Sequence, residues 1–282
     1  MLELLDYGFM QRALIAAVFT GIAAPAIGTF LVQRRLALLG DGLGHIALTG
    51  VALGLLTGFA PTITAVVVAA LGALLLEVLR ATRTSGDVAL AMLFYGGIAG
   101  GVMLTNIAGE SASTLNAYLF GSIVTVRQSD LILVGVLAVV VVAACLALGP
   151  QLFAVCQDED HARVSGLPVW FLSALISVMA AVTITLAMRT VGLLLVSALM
   201  VVPVAASQQL TRSFRSTHYA AMGIGLFAAV SGVVTSYQIE TSPGPTIVMI
   251  AIAVFAVAAV LRVVVRSRGR TRGRAPDRLG SS

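Results

Sequence analysis

The sequence predicts an all-α, polytopic integral membrane protein with about nine transmembrane helices, and three observations carry that prediction. Only 10% of the residues are charged against 59% hydrophobic, whereas soluble domains carry roughly a quarter of charged residues to cover their surface. Apolar runs long enough to span about 30 Å of hydrocarbon as helices recur along the whole chain. The alternation of polar-in and apolar-out residues that marks a membrane β-barrel is absent.

Taken in order, the first span is expected over 9–33, ending at Arg34 and Arg35, and the second over 42–59. Pro61 opens the third, which ends near Leu79 with Arg80 and Arg83 beyond it, and the fourth covers 88–107. The stretch 111–129 is too short and polar for a span and is expected to be an outer-side loop with a short interfacial helix at 117–121, AYLFG. The fifth span covers 130–149, and a polar segment separates it from the sixth over 169–188. The seventh covers 190–210 and is followed by Arg212 and Arg215; the eighth and ninth cover 219–237 and 246–265. Glycines recur at helical spacing in two of these spans, at Gly50, Gly54 and Gly58 and at Gly96/Gly100 and Gly97/Gly101, a pattern that lets helices pack closely.

Orientation follows from arginine placement, because basic loops stay on the cytoplasmic side. Arg34–Arg35, Arg80/Arg83, Arg212/Arg215 and the C-terminal arginines then share the cytoplasmic side, which puts the N-terminus, with Glu3 and Asp6, outside. The chain divides into a membrane domain over 1–266 and a basic, disordered cytoplasmic tail over 267–282. From Arg262 onward there are seven arginines and one acid, Asp277, which is a stop-transfer pattern beside an anionic leaflet rather than a nucleic-acid site.

All 17 basic residues are arginine. A nucleotide-binding P-loop needs a lysine on the phosphates, so any ATP hydrolysis belongs to another polypeptide. No nucleophile-elbow or zinc-protease motif is present, and the two cysteines, Cys145 and Cys156, suggest neither a disulfide framework nor a metal cluster. Intramembrane charge is expensive and usually functional, and the candidates are few. Asp41 and His45 stand four apart in LLGDGLGHIALTG and so share one helical face. A carboxylate and an imidazole suit a divalent metal; alternatively Asp41 caps the second span. Glu77 and Asp87 read as ion-pair partners of Arg80 and Arg83, Glu240 as solvated in an outer loop, His161 as a surface residue and His218 as interfacial.

The stretch FLVQRRLALLGDGLGHIALTGVALG resembles the segment joining the first two spans of metal-ion ABC transporter permeases, which serve zinc, manganese or iron uptake. TVGLLLVSALMVVPVAASQQL is similar to a late-span motif of that family, and AYLFGSIVTVRQSDL and SPGPTIVMIAIAVF resemble its outer segment and final span. Ser122 departs from the family, which often has an acidic residue there. The resemblance implies a permease subunit of the plasma membrane that moves a divalent metal, zinc as first choice and manganese or iron otherwise, with no cofactor of its own. It implies a homodimer, a separate ABC ATPase and an extracytoplasmic metal-binding protein as partners. It assigns Asp41 and His45 to the metal pathway, and makes 157–168, with Asp158, Glu159, Arg163 and Gly166, the coupling segment that docks on the ATPase. A secondary transporter driven by an ion gradient is the competing class; such transporters often show duplicated halves, and no internal repeat is evident.

Overall fold

The computed structural model describes residues 8–82, 86–109, 117–121, 128–188 and 191–272. Among them the chain is helical throughout, without strands. The helices are α1 (Gly8–Gln33), α2 (Leu39–Thr57), α3 (Pro61–Ala81), α4 (Gly86–Ile107), α5 (Gln128–Ala147), α6 (Gly149–Gln157), α7 (Glu159–Val164), α8 (Val169–Met188), α9 (Leu193–Leu210), α10 (Phe214–Gln238) and α11 (Pro243–Arg272). A further helical turn stands at 117–120. Arg83, the loop residue Ser122 and residues 273–282 of the tail lie outside the described residues.

Each expected span has its helix. Among the described residues seven helices are long and apolar enough to cross a bilayer, and an eighth span results if α5 and α6, bent by 70° at their junction, are one broken span. The expected seventh span falls on α9, which runs 18 residues from Leu193 to Leu210 with Pro203 inside it. Gly192, at φ 90°, is the N-cap of α9 and sets its start at Leu193. α11 continues past the expected domain boundary at 266 and is helical to Arg272.

Burial sorts the helices into two classes. α1, α2 and α8 are largely enclosed, whereas α3, α4 and α11 turn most of their surface outward. The enclosed helices carry small residues where they cross. Alanines 13, 16, 17, 23, 24 and 26 of α1 are all buried, as expected where van der Waals packing rather than hydrophobic transfer holds membrane helices together. α2 packs against α3, α4, α8 and α9, and α1 against α5, α8, α9 and α10. Pro25 sits inside α1, and Thr29 Oγ1 donates to the Pro25 carbonyl at 2.8 Å. The turn at 117–120 is docked where a Cβ on Gly192 would meet the Phe120 carbonyl carbon at 2.3 Å. The glycine stripes behave unequally. Gly50 and Gly54 meet α3, and Gly97, Gly100 and Gly101 meet α2, but Gly58 is the left-handed C-cap of α2 and neither it nor Gly96 faces a neighbour.

Candidate metal centre and coupling segment

Asp41 and His45 lie on the first two turns of α2, on the one partly open stripe of an otherwise buried helix that continues to Thr49. The N-cap of α2 is Leu38, in a helical conformation and without a side-chain capping bond. Asp41 therefore does not cap the helix, which removes that alternative. Its Oδ1 accepts a hydrogen bond from Ser197 Oγ of α9. The two helices approach closely there, since a Cβ on the adjacent Gly40 would stand 2.9 Å from the Ser197 Cβ.

His45 is held differently. Its ring meets Phe94 of α4 edge-on at 4.7 Å, and its Nδ1 is buried without a hydrogen-bond partner among the described residues. Buried polar atoms in native structures are nearly always paired, so an orphan here marks a place for a ligand or water. Behind the ring, Gly97 of α4 lies against the α2 backbone: a Cβ there would meet the His45 carbonyl carbon at 2.6 Å and the Ile46 nitrogen at 2.7 Å. Thr49 Oγ1 donates to the Gly97 carbonyl at 2.8 Å and locks the same contact. Among the described residues no group of three or more His, Cys, Asp or Glu side chains gathers to hold a metal. One chain thus offers two donors of types that zinc, manganese and iron accept, on a face open toward whatever lies beside α2.

The polar segment 157–168 contains the six-residue α7, which carries its own caps. Asp158 is the N-cap, accepting from the backbone N–H of Asp160 and of His161 at 3.0 Å each. Gly166 takes φ 82° and ends the segment. Arg163 pairs with Asp160 at 3.4 Å in full exposure, Val164 projects outward, and only Ala162 is buried. Glu159 makes a long-range link: it pairs with Arg34 at the end of α1, whose side chain is only 5% exposed. Gln33 Nε2 donates to Gln157 Oε1 alongside.

Two polar residues stand differently from their sequence reading. Glu77 pairs with Arg80 at 3.4 Å as expected, yet it is buried and also accepts from Ser177 Oγ of α8 at 2.6 Å. The stripe Ala65, Ala69, Ala73, Glu77, every fourth residue of α3 and wholly inside, was the signal available for this. His218 is 5% exposed and lies among the rings of Phe30, Phe214 and Tyr219, rather than at an interface. The nearby Arg212 and Arg215 suggested exposure, but the helical turn points His218 inward beside the buried Thr217. His161 and Glu240 are exposed as expected, and the side chain of Asp87 lies outside the described residues.

The model of the ABC 3 transport family matches residues 6–262. The chain belongs to this family. It is 30% identical over 258 residues to "Manganese transport system membrane protein MntC" of Listeria innocua, covering 90% of this chain and 91% of that protein. It is likewise 30% identical over 262 residues to "Probable iron transport system membrane protein" of Haemophilus influenzae, covering 92% and 95%. Among solved structures, PsaBC from Streptococcus pneumoniae in complex with Fab superposes with a TM-score of 0.82 at 29% identity, covering 90% of this chain and 92% of that one. As an ABC 3 member the chain is a multi-pass membrane permease of a metal ABC transporter, and a gradient-driven secondary transporter is set aside.

Proposed function

We propose that this permease imports manganese or ferrous iron through a pathway in which Asp41 and His45 are the metal-contacting residues. The observation that carries the reading is their shared stripe on α2, with a carboxylate that accepts from a serine and an imidazole whose Nδ1 has no partner among the described residues. Oxygen and nitrogen donors suit manganese and iron as well as zinc, and raw affinity does not choose among them. Zinc, the first choice from the sequence, yields to manganese and iron because those are the metals in the names of the relatives above.

Two donors are too few to hold an ion, and a two-fold homodimer would bring the same pair from both chains to one axis. Four donors of mixed type then surround a metal that must also leave, so incomplete coordination is an advantage for conduction. A separate ABC ATPase drives the cycle by docking on α7, and an extracytoplasmic metal-binding protein supplies the ion. The N-terminus lies outside and the arginine pairs on the cytoplasmic side, which sets Asp41 near the inner end of the pathway.

Uptake of manganese, iron and zinc, each measured by mass spectrometry of washed cells, tests the reading. Asp41→Asn and His45→Ala are expected to lower uptake of the transported metal to background while membrane levels stay normal. Wild-type uptake in both variants would overturn the assignment, and zinc as the sole imported metal would restore the first choice.

A further inference from the structure

A cavity of about 700 Å³ lies between α1, the bend joining α5 to α6, and the start of α10. It stands on the same end of the bundle as Arg34 and α7 and is separate from the Asp41 stripe. Phe30, Phe153 and Phe214 form an apolar wall, and Ser213 and Arg215 also line the cavity with His218. The rings of Phe153 and Phe214 meet at a 40° tilt with centroids 4.4 Å apart, so the wall is continuous across the bend.

Two features ask for a polar ligand. His218 is 5% exposed, and neither ring nitrogen has a hydrogen-bond partner among the described residues. A neutral imidazole carries one donor and one acceptor, and leaving both buried and unpaired is unfavourable. Arg215 is exposed and has no ion-pair partner among the described residues. It stands at the first turn of α10, where the helix dipole adds positive potential, and no acidic residue lines the cavity.

An occupant must therefore be apolar along one part, anionic at one end and able to hydrogen-bond between them. We infer that the cavity binds an anionic phospholipid of the surrounding leaflet, with its acyl chain on the Phe30, Phe153 and Phe214 wall and its phosphate at Arg215. The ester and hydroxyl oxygens of such a lipid are the partners that His218 lacks. The bilayer holds this ligand at high local concentration, and basic pockets between membrane helices favour it electrostatically. The inference does not depend on which metal is carried or on the role of Asp41.

The test is native mass spectrometry of the permease, purified with its ATPase from nanodiscs containing equal phosphatidylglycerol and phosphatidylcholine. The wild type is expected to retain phosphatidylglycerol selectively. Arg215→Gln, at an exposed position, and His218→Leu are each expected to cut that retention at least five-fold, while His218→Gln, which keeps hydrogen-bonding capacity, retains most of it. If His218→Leu does not fold, Arg215→Gln with His218→Gln carries the comparison. Equal retention of both lipids, or unchanged selectivity in Arg215→Gln, would overturn the inference in favour of ordinary annular lipid. Inorganic phosphate that raises the melting temperature of lipid-free wild type, but not of Arg215→Gln, would overturn it in favour of a soluble anion.

Discussion

The polar stripe of α2 and the polar helix α7 carry similar side chains, an aspartate and a histidine in each, but are held by opposite means. In α2, the positions of Asp41 and His45 are fixed by other helices, through Ser197 of α9 and through Phe94 and Gly97 of α4. In α7 the fixing is local: Asp158 caps the helix from its own chain and Gly166 closes it within the same segment. The Arg34–Glu159 pair and the buried Ala162 tie α7 to the bundle. A site set by tertiary contact moves when its neighbours move, whereas a self-capped helix moves as a rigid piece. That division suits a pathway residue in the first case and a lever in the second.

The comparison breaks most easily at Gly97. Gly97→Leu places a side chain where a single Cβ already meets the α2 backbone at 2.6 Å, and overpacking of this kind costs about 1–3 kcal/mol. The expected result is loss of uptake together with a lowered melting temperature of the purified protein, with Gly96→Leu, which faces no neighbour, as the unaffected control. Wild-type uptake and melting in Gly97→Leu would mean that α4 does not fix the site.

Next in size is the tie between lever and bundle. Glu159→Gln leaves the buried Arg34 guanidinium without its carboxylate, and loss of a partner to a buried polar group costs about 1–3 kcal/mol. ATP hydrolysis by the assembled transporter is expected to continue while metal uptake per ATP falls several-fold. If uptake and hydrolysis fall together, the pair serves assembly rather than transmission.

The smallest effect is expected at Asp158. Asp158→Ala removes two backbone bonds and about 1 kcal/mol of helix stability, whereas Asp158→Asn retains the cap. Hydrogen exchange across Glu159–Val164 is expected to rise in the alanine variant alone, with the rate across α2 unchanged. Faster exchange in α2 as well would show that the two regions are not independently held.

The legibility of these two regions in the sequence follows the same division. The α7 cap and stop, and the shared face of Asp41 and His45, depend on residues a few positions apart, and spacing exposes them. Ser197 is 156 positions from Asp41, and Gly97 is 48 from its partner Thr49; no local pattern joins such residues. The helices themselves were readable because each apolar run is one element. Their number was less so, because the 70° break between α5 and α6 turns the chain without altering its hydropathy. His218 was misplaced for a related reason: neighbouring arginines report where a helix begins, not which way one residue on it turns.

The bond from Ser197 to Asp41 gives the proposed route a chemical character of its own. A carboxylate waiting with a hydroxyl on it is not bare, so an arriving cation substitutes for a proton donor instead of filling a void. When the cation departs, the hydroxyl can return. Passage then resembles ligand exchange, in which arrival and departure are each partly compensated, and the site resists becoming a trap for the ion it handles.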